Sequence, residues 1–148
     1  MDVELISLNV NSIYSFNRRH ILNKFLNDEK PDIMFLCETH LNDKHQIHFP
    51  GYKVFLQNRP TNGGGVAILM RIDFNARRIT LDHEFEFEYV TISIINENNI
   101  ETVVVSIYNP KQASFADLMH FDIFDWVIIA GDLNARNTHY GNCSDNAN

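Results

Sequence analysis

The stretch ELISLNVNSIYSFNRRHILNKFLNDEKPDIMFLC, residues 4–37, decides the fold class. Glu4–Val10 is short and apolar at alternate places, the pattern of a half-buried strand. Arg18–Glu29 sets Ile21, Leu22, Phe25 and Leu26 on one stripe at helical spacing, with Asn17 as N-cap and Pro31 as the stop. Asp32–Cys37 is a nearly continuous apolar run, as expected of a strand buried on both faces. A strand–helix–strand opening predicts a layered α/β domain and not an all-β sandwich.

Downstream the chain becomes strand-rich. Tyr52–Asn58 and Val66–Met70 read as strands joined by the turn-forming run Arg59-Pro60-Thr61-Asn62-Gly63-Gly64. Glu84, Glu86 and Glu88 alternate with Phe85, Phe87 and Tyr89, which predicts a strand with one solvated face. Asn96-Glu97-Asn98-Asn99 separates Val90–Ile95 from Ile100–Tyr108, a hairpin by composition. Ser114–Phe124 reads as a short helix with capping-box spacing, and Val127–Ala130 as another buried strand. The tail from Tyr140 to Asn148 is polar and unpatterned.

The 148 residues suit one domain, and a chain of this size can bury roughly 68–70% of its unfolded surface. A composition of 45% hydrophobic and 21% charged residues excludes global disorder. No apolar run is long enough to span a bilayer, the N-terminus lacks signal-peptide character, and two cysteines form no disulfide framework. An intracellular protein that does not engage membranes is the expectation. The net charge of −7 argues against coating nucleic acid through bulk charge, yet allows an enzyme whose carboxylates hold a cation.

Polar residues recur where apolar strands end. Asn9 and Asn11 follow the first strand, Glu38 caps Phe35-Leu36-Cys37, Tyr108 closes Val103–Ile107, and Asp132 and Asn134 close Val127–Ala130. Ligands of layered α/β folds bind at strand ends. If these four ends share an edge, they assemble a carboxylate pair with amide and phenol donors, a set suited to Mg²⁺ and a phosphate. Singly, each has a plainer reading: Glu38 as a cap, Asp132 as a loop residue, Tyr108 as a packed ring.

Leu8-Asn9-Val10-Asn11, Cys37-Glu38-Thr39-His40, Gly63-Gly64-Gly65-Val66-Ala67-Ile68, Tyr108-Asn109-Pro110 and Gly131-Asp132-Leu133-Asn134-Ala135-Arg136 occur in the order of the endonuclease/exonuclease/phosphatase superfamily. The chain resembles, within it, the apurinic-type endonuclease domain of jockey-like non-LTR retrotransposons, and Thr138-His139-Tyr140-Gly141 resembles their T-x-W-G with Tyr for Trp. That resemblance implies an α/β, four-layer α-β-β-α sandwich of DNase I type, over a single domain of residues 1–148 that lacks the C-terminal strands and helices. It implies Glu38 as the Mg²⁺ ligand (Mn²⁺ as substitute), with Asn11 as a secondary polar residue near the metal. Asp132 would orient or deprotonate the attacking water, Asn9 and Asn134 would hold the scissile phosphate, and Tyr108 would donate to it. The implied activity is DNA nicking that leaves a 3′-hydroxyl to prime reverse transcription in the nucleus, with a reverse transcriptase domain in the same full-length polyprotein.

The chain departs from the family at Leu8, Ser12 and Asn137, where Trp, Gly and His are common. It also ends before the family's Ser-Asp-His motif, so the resemblance implies very slow nicking or none by these residues alone, and self-association through exposed core. Two alternatives stay open: an inactive, truncated or decayed copy, and a phosphoesterase of the same fold acting on a phosphoinositide or another phosphoester. Gly63-Gly64-Gly65 lacks a following Lys-Ser/Thr and precedes a strand, so it reads as a hairpin turn and not a P-loop. Cys37-x-x-His40 with His139-x3-Cys143 mimics a zinc set, but Cys37 reads better as a free buried thiol. Arg18-Arg19 and Arg77-Arg78 could touch a DNA backbone, and as isolated pairs read as surface.

Overall fold

The computed structural model describes residues 3–111 and 115–135. In chain order the elements are β1 (Leu5–Asn9), α1 (Phe16–Glu29), β2 (Ile33–Cys37), β3 (Tyr52–Gln57), β4 (Val66–Arg71), β5 (Ala76–Arg78), β6 (Glu88–Ile95), β7 (Glu101–Tyr108), a 3-10 helix (Phe115–Phe121) and β8 (Val127–Asp132). Two four-stranded mixed sheets result, ordered β1-β2-β4-β3 and β5-β6-β7-β8.

Three apolar seams hold four layers together. Leu22 and Leu26 of α1 pack on Met34, Leu36 and Leu69, the outer face of the first sheet. Ile33, Phe35, Ile68 and Met70 from that sheet's inner face meet Val90, Ile92 and Val104 from the second. Val103, Val105 and Ile107 face outward from the second sheet against Phe87, Leu118 and Phe121. β2 lies between both seams of its sheet, which is why all five of its residues are buried and its sequence shows no alternation.

The helix begins earlier than the capping signal suggested. Ser15, with φ −77° and ψ 149°, is the N-cap, accepting from the Arg18 amide at 3.3 Å, and Asn17 lies inside the first turn. At the other end Lys30 adopts the left-handed conformation and its N–H reaches the Leu26 carbonyl, just ahead of Pro31. Ile21, expected on the buried stripe, is 67% exposed. Residues 84–87 are not a strand: β6 starts at Glu88, while Phe85 and Phe87 still turn into the outer seam. Ser114, the proposed cap of the later helix, lies outside the described residues, and that helix has 3-10 geometry.

Two parallel pairs bring polar strand ends together. β1 runs parallel to β2 with Asn9 beside Cys37, and β7 runs parallel to β8 with Tyr108 beside Asp132. Parallel strands finish at the same end, so each pair delivers two C-termini to one rim. β1 and β2 contact β8 across the sandwich, which brings the two rims together.

Candidate active site

Asn9 joins the two sheets. Its side-chain amide donates to Glu38 Oε1 at 3.0 Å and to Asp132 Oδ2 at 3.1 Å. The carboxylates therefore stand no farther apart than these two hydrogen bonds laid end to end. Tyr108 donates its hydroxyl to the same Glu38 oxygen at 2.8 Å, and His40 Nε2 lies 3.5 Å from Glu38 Oε2. Asn134 donates its backbone N–H to Asp132 Oδ1 at 3.0 Å and its side-chain amide to the Asn109 carbonyl at 3.1 Å. Asn9, Glu38, Tyr108, Asp132 and Asn134 thus share one rim.

Asn11 does not join them through its side chain in any described contact. Its backbone N–H donates to Asn9 Oδ1 at 3.0 Å, which orients the Asn9 amide toward the carboxylates. Arg18 in turn donates to the carbonyls of Val10, Asn11 and Ser12, and Arg19 to those of Ile13 and Tyr14. The basic pair read as surface charge fastens the loop behind Asn9. Arg77 pairs with Glu101, and Arg78 donates to the Leu56 carbonyl and to Gln57. Of the zinc set, Cys37 is a free buried thiol, and His139 and Cys143 lie outside the described residues, as do Asn137, Thr138 and Tyr140.

Five of the seven non-glycine residues with positive φ among the described residues are at this rim: Asn11, Ser12, Glu38, His40 and Asn134, at 41° to 84°. Each such position costs of order 1–3 kcal/mol and persists where surrounding bonds over-determine it. Here the hydrogen bonds of Ser12, Thr39 and His40 to backbone carbonyls hold the loops.

The Asn9 amide holds the Glu38 carboxyl below the ordinary carboxylate range, helped by Tyr108 and His40 and opposed by burial. Burial first, then the bond to Glu38, pushes the Tyr108 phenol up to about 12, so it remains a donor at neutral pH. A depressed folded value means that Glu38 contributes stability above its unfolded pKa of about 4.3, which is lost as pH falls through the lower folded value. Asn9→Ala is expected to raise the Glu38 value toward the ordinary range and move this loss to higher pH. Following the Glu38 carboxyl carbon by NMR across an acid titration checks it; an unmoved midpoint would contradict the assignment of cause.

Further contacts behind the rim carry no signal in the sequence. Glu88, read as part of a solvated stripe, accepts from Arg59 Nε at 2.6 Å and from the Gly65 N–H at 2.5 Å. The Arg59 guanidinium lies 5.9 Å from the centre of the Tyr108 ring, and a Cβ on Gly64 would collide with it. A base in the β3–β4 connection and an acid at the start of β6 leave no local signal; only the turn residues Gly63–Gly65 were legible. The β3–β4 turn they form follows the hairpin reading, with positive φ at all three.

Among the described residues no group of three or more His, Cys, Asp and Glu side chains is arranged to hold a metal ion, and no helix is long and apolar enough to cross a membrane. The profile of the Endonuclease/Exonuclease/phosphatase family matches residues 6–148. The chain is 25% identical over 131 residues to the RNA-directed DNA polymerase from mobile element jockey of Drosophila melanogaster, a match covering 80% of this chain and 13% of that protein. The endonuclease domain of TRAS1, a telomere-specific non-LTR retrotransposon, superposes with a TM-score of 0.68 at 18% identity, over 98% of this chain and 66% of that one. The AP endonuclease LMAP from Leishmania major superposes with a TM-score of 0.67 at 17% identity, over 90% and 55%. Both likenesses show the same four-layer fold.

Proposed function

We propose, from the premise that this chain belongs to the Endonuclease/Exonuclease/phosphatase family, that it hydrolyses phosphodiester bonds in DNA. One observation carries the reading: a single amide, from Asn9, spans carboxylates delivered by two different sheets, with a phenol on one of them. Two close carboxylates fit Mg²⁺ (or Mn²⁺), which uses one or two such ligands and takes the rest from water and substrate phosphate. Glu38 would be the ligand. Bound there, the ion would supply a Lewis acid for a phosphate oxygen.

The remaining work falls to the chain. Asp132, facing Glu38 through Asn9, accepts the proton of the attacking water and orients it. The amides of Asn9 and Asn134 hold the scissile phosphate, and the Tyr108 hydroxyl donates to an oxygen on which charge accumulates. The product is a nick with a 3′-hydroxyl. The likeness to jockey and to the TRAS1 domain supports a role in target-primed reverse transcription in the nucleus, with a reverse transcriptase in the same polyprotein. Conversion of supercoiled plasmid to open circles in Mg²⁺, run beside phosphate release from a phosphoinositide, tests the substrate. Release from the lipid without nicking would move the assignment to another phosphoester.

Self-association belongs to the same proposal. Among the described residues β1 and β8 each have one paired edge, and Val3, Leu5, Leu8 and Ile21 are between 41% and 67% exposed on the β1–α1 side. An unpaired edge beside exposed apolar side chains invites pairing with another copy. Sedimentation is expected to show concentration-dependent dimers that Leu5→Lys with Leu8→Lys disperses. A wild-type monomer at high concentration would contradict this.

A further inference from the structure

We propose that Cys37 is a positioning residue for the rim, its backbone and thiol clasping the strand ends that carry Asn9, Glu38, Tyr108 and Asp132. This rests on the functional reading of those four residues. Cys37 is 1% exposed and sits in the seam between the sheets. Its carbonyl accepts the Val10 N–H at 3.0 Å, next to Asn9. Its thiol donates to the Ile107 carbonyl at 3.1 Å, next to Tyr108. The Asp132 N–H donates back to the sulfur at 3.3 Å, and Glu38 is the following residue.

The thiol makes both bonds at once, its S–H pointing to the Ile107 carbonyl and its sulfur facing the Asp132 N–H. A sulfur is a weak donor and a weak acceptor, so the clasp adds little to stability. Its effect is on distance. A sulfhydryl lodged between Ile107 and Asp132 sets how closely the end of β2 approaches the ends of β7 and β8, and so how Glu38 faces Asp132. A purely apolar side chain there would fill the seam without directing either strand.

The test compares Cys37→Ala, Cys37→Ser and a packing control, Ile92→Val, made in the same seam. Two quantities are read on the 148-residue chain: hydrogen exchange at the Asp132 amide, and Mn²⁺ affinity by water-proton relaxation. Cys37→Ala is expected to speed exchange at Asp132 and to weaken Mn²⁺ by about tenfold, the usual scale for a residue acting behind a ligand. Cys37→Ser, which keeps a donor and an acceptor, should restore both toward wild type, and Ile92→Val should disturb neither. Wild-type exchange or affinity in Cys37→Ala, a serine variant no better than alanine, or an Ile92→Val variant equal to it would each overturn the proposal. Glu38→Gln is run alongside. If it leaves Mn²⁺ affinity unchanged, the metal reading fails by itself, and the clasp stands or falls on the exchange data.

Discussion

Gly131→Ala is expected to leave the chain largely unfolded. Gly131 has φ 140°, which L side chains rarely adopt, and it pairs with Ile107 across the parallel β7–β8 ladder. A Cβ there would press into the Ile107 carbonyl oxygen, with the carbonyl carbon at 2.8 Å and the amide nitrogen at 2.9 Å. All of these are backbone atoms and none can swing away. Relief requires parting β7 from β8, which exposes Val103, Val105 and Ile129 and separates Tyr108 from Asp132. Single substitutions that cost more than about 4–5 kcal/mol are exceptional, and backbone collisions of this kind are among them. Against a total stability of about 5–15 kcal/mol, most of the folded population should be lost. Urea unfolding followed by circular dichroism reads this directly; a loss near 1 kcal/mol would mean that the two strands are not held so closely.

Glu38→Gln is expected to abolish divalent-cation binding at the rim and to lower nicking by about a thousandfold. The amide keeps an oxygen to accept from Asn9 and Tyr108, so the fold should survive. What disappears is the charge proposed to attract the cation. Lewis-acid stabilisation of a phosphoryl oxygen is worth several kcal/mol, and each 1.36 kcal/mol is about tenfold in rate. Calorimetric titration with Mg²⁺ and a plasmid assay separate the two effects. Full Mg²⁺ affinity in the variant would remove Glu38 as the ligand.

The parts of this protein that could be read from its sequence are those with local causes. Asp32-Ile33-Met34-Phe35-Leu36-Cys37 announces a two-face-buried strand because both seams need apolar side chains there. Asn9, Glu38, Tyr108 and Asp132 were legible as strand-end residues, and parallel pairing turns that shared property into shared location. Boundaries were less so. Ser15 and Asn17 are both good caps, and what separates them is where the Arg18 and Arg19 side chains pin the preceding loop. The alternating Glu84–Tyr89 pattern is real in burial, yet its first half finds no partner strand. β5, three residues on a sheet edge, carries no periodicity to detect. Glu88, Arg59 and the Cys37 thiol act across 23 to 95 residues of sequence, and long-range pairs of that kind become visible only once the sheets face each other.

The most direct test of the central claim is nicking under enzyme excess. A supercoiled plasmid incubated with a large molar excess of the chain registers even slow hydrolysis, because one cut per molecule opens the circle. Asp132→Ala removes the carboxylate proposed to orient the water, a role that typically contributes about 10²–10⁴ in rate. The rim described here predicts that open circles accumulate with wild type in Mg²⁺, disappear when the metal is chelated, and fail to accumulate with Asp132→Ala. Equal accumulation with both proteins would contradict a phosphodiesterase site built on Asn9, Glu38, Tyr108 and Asp132.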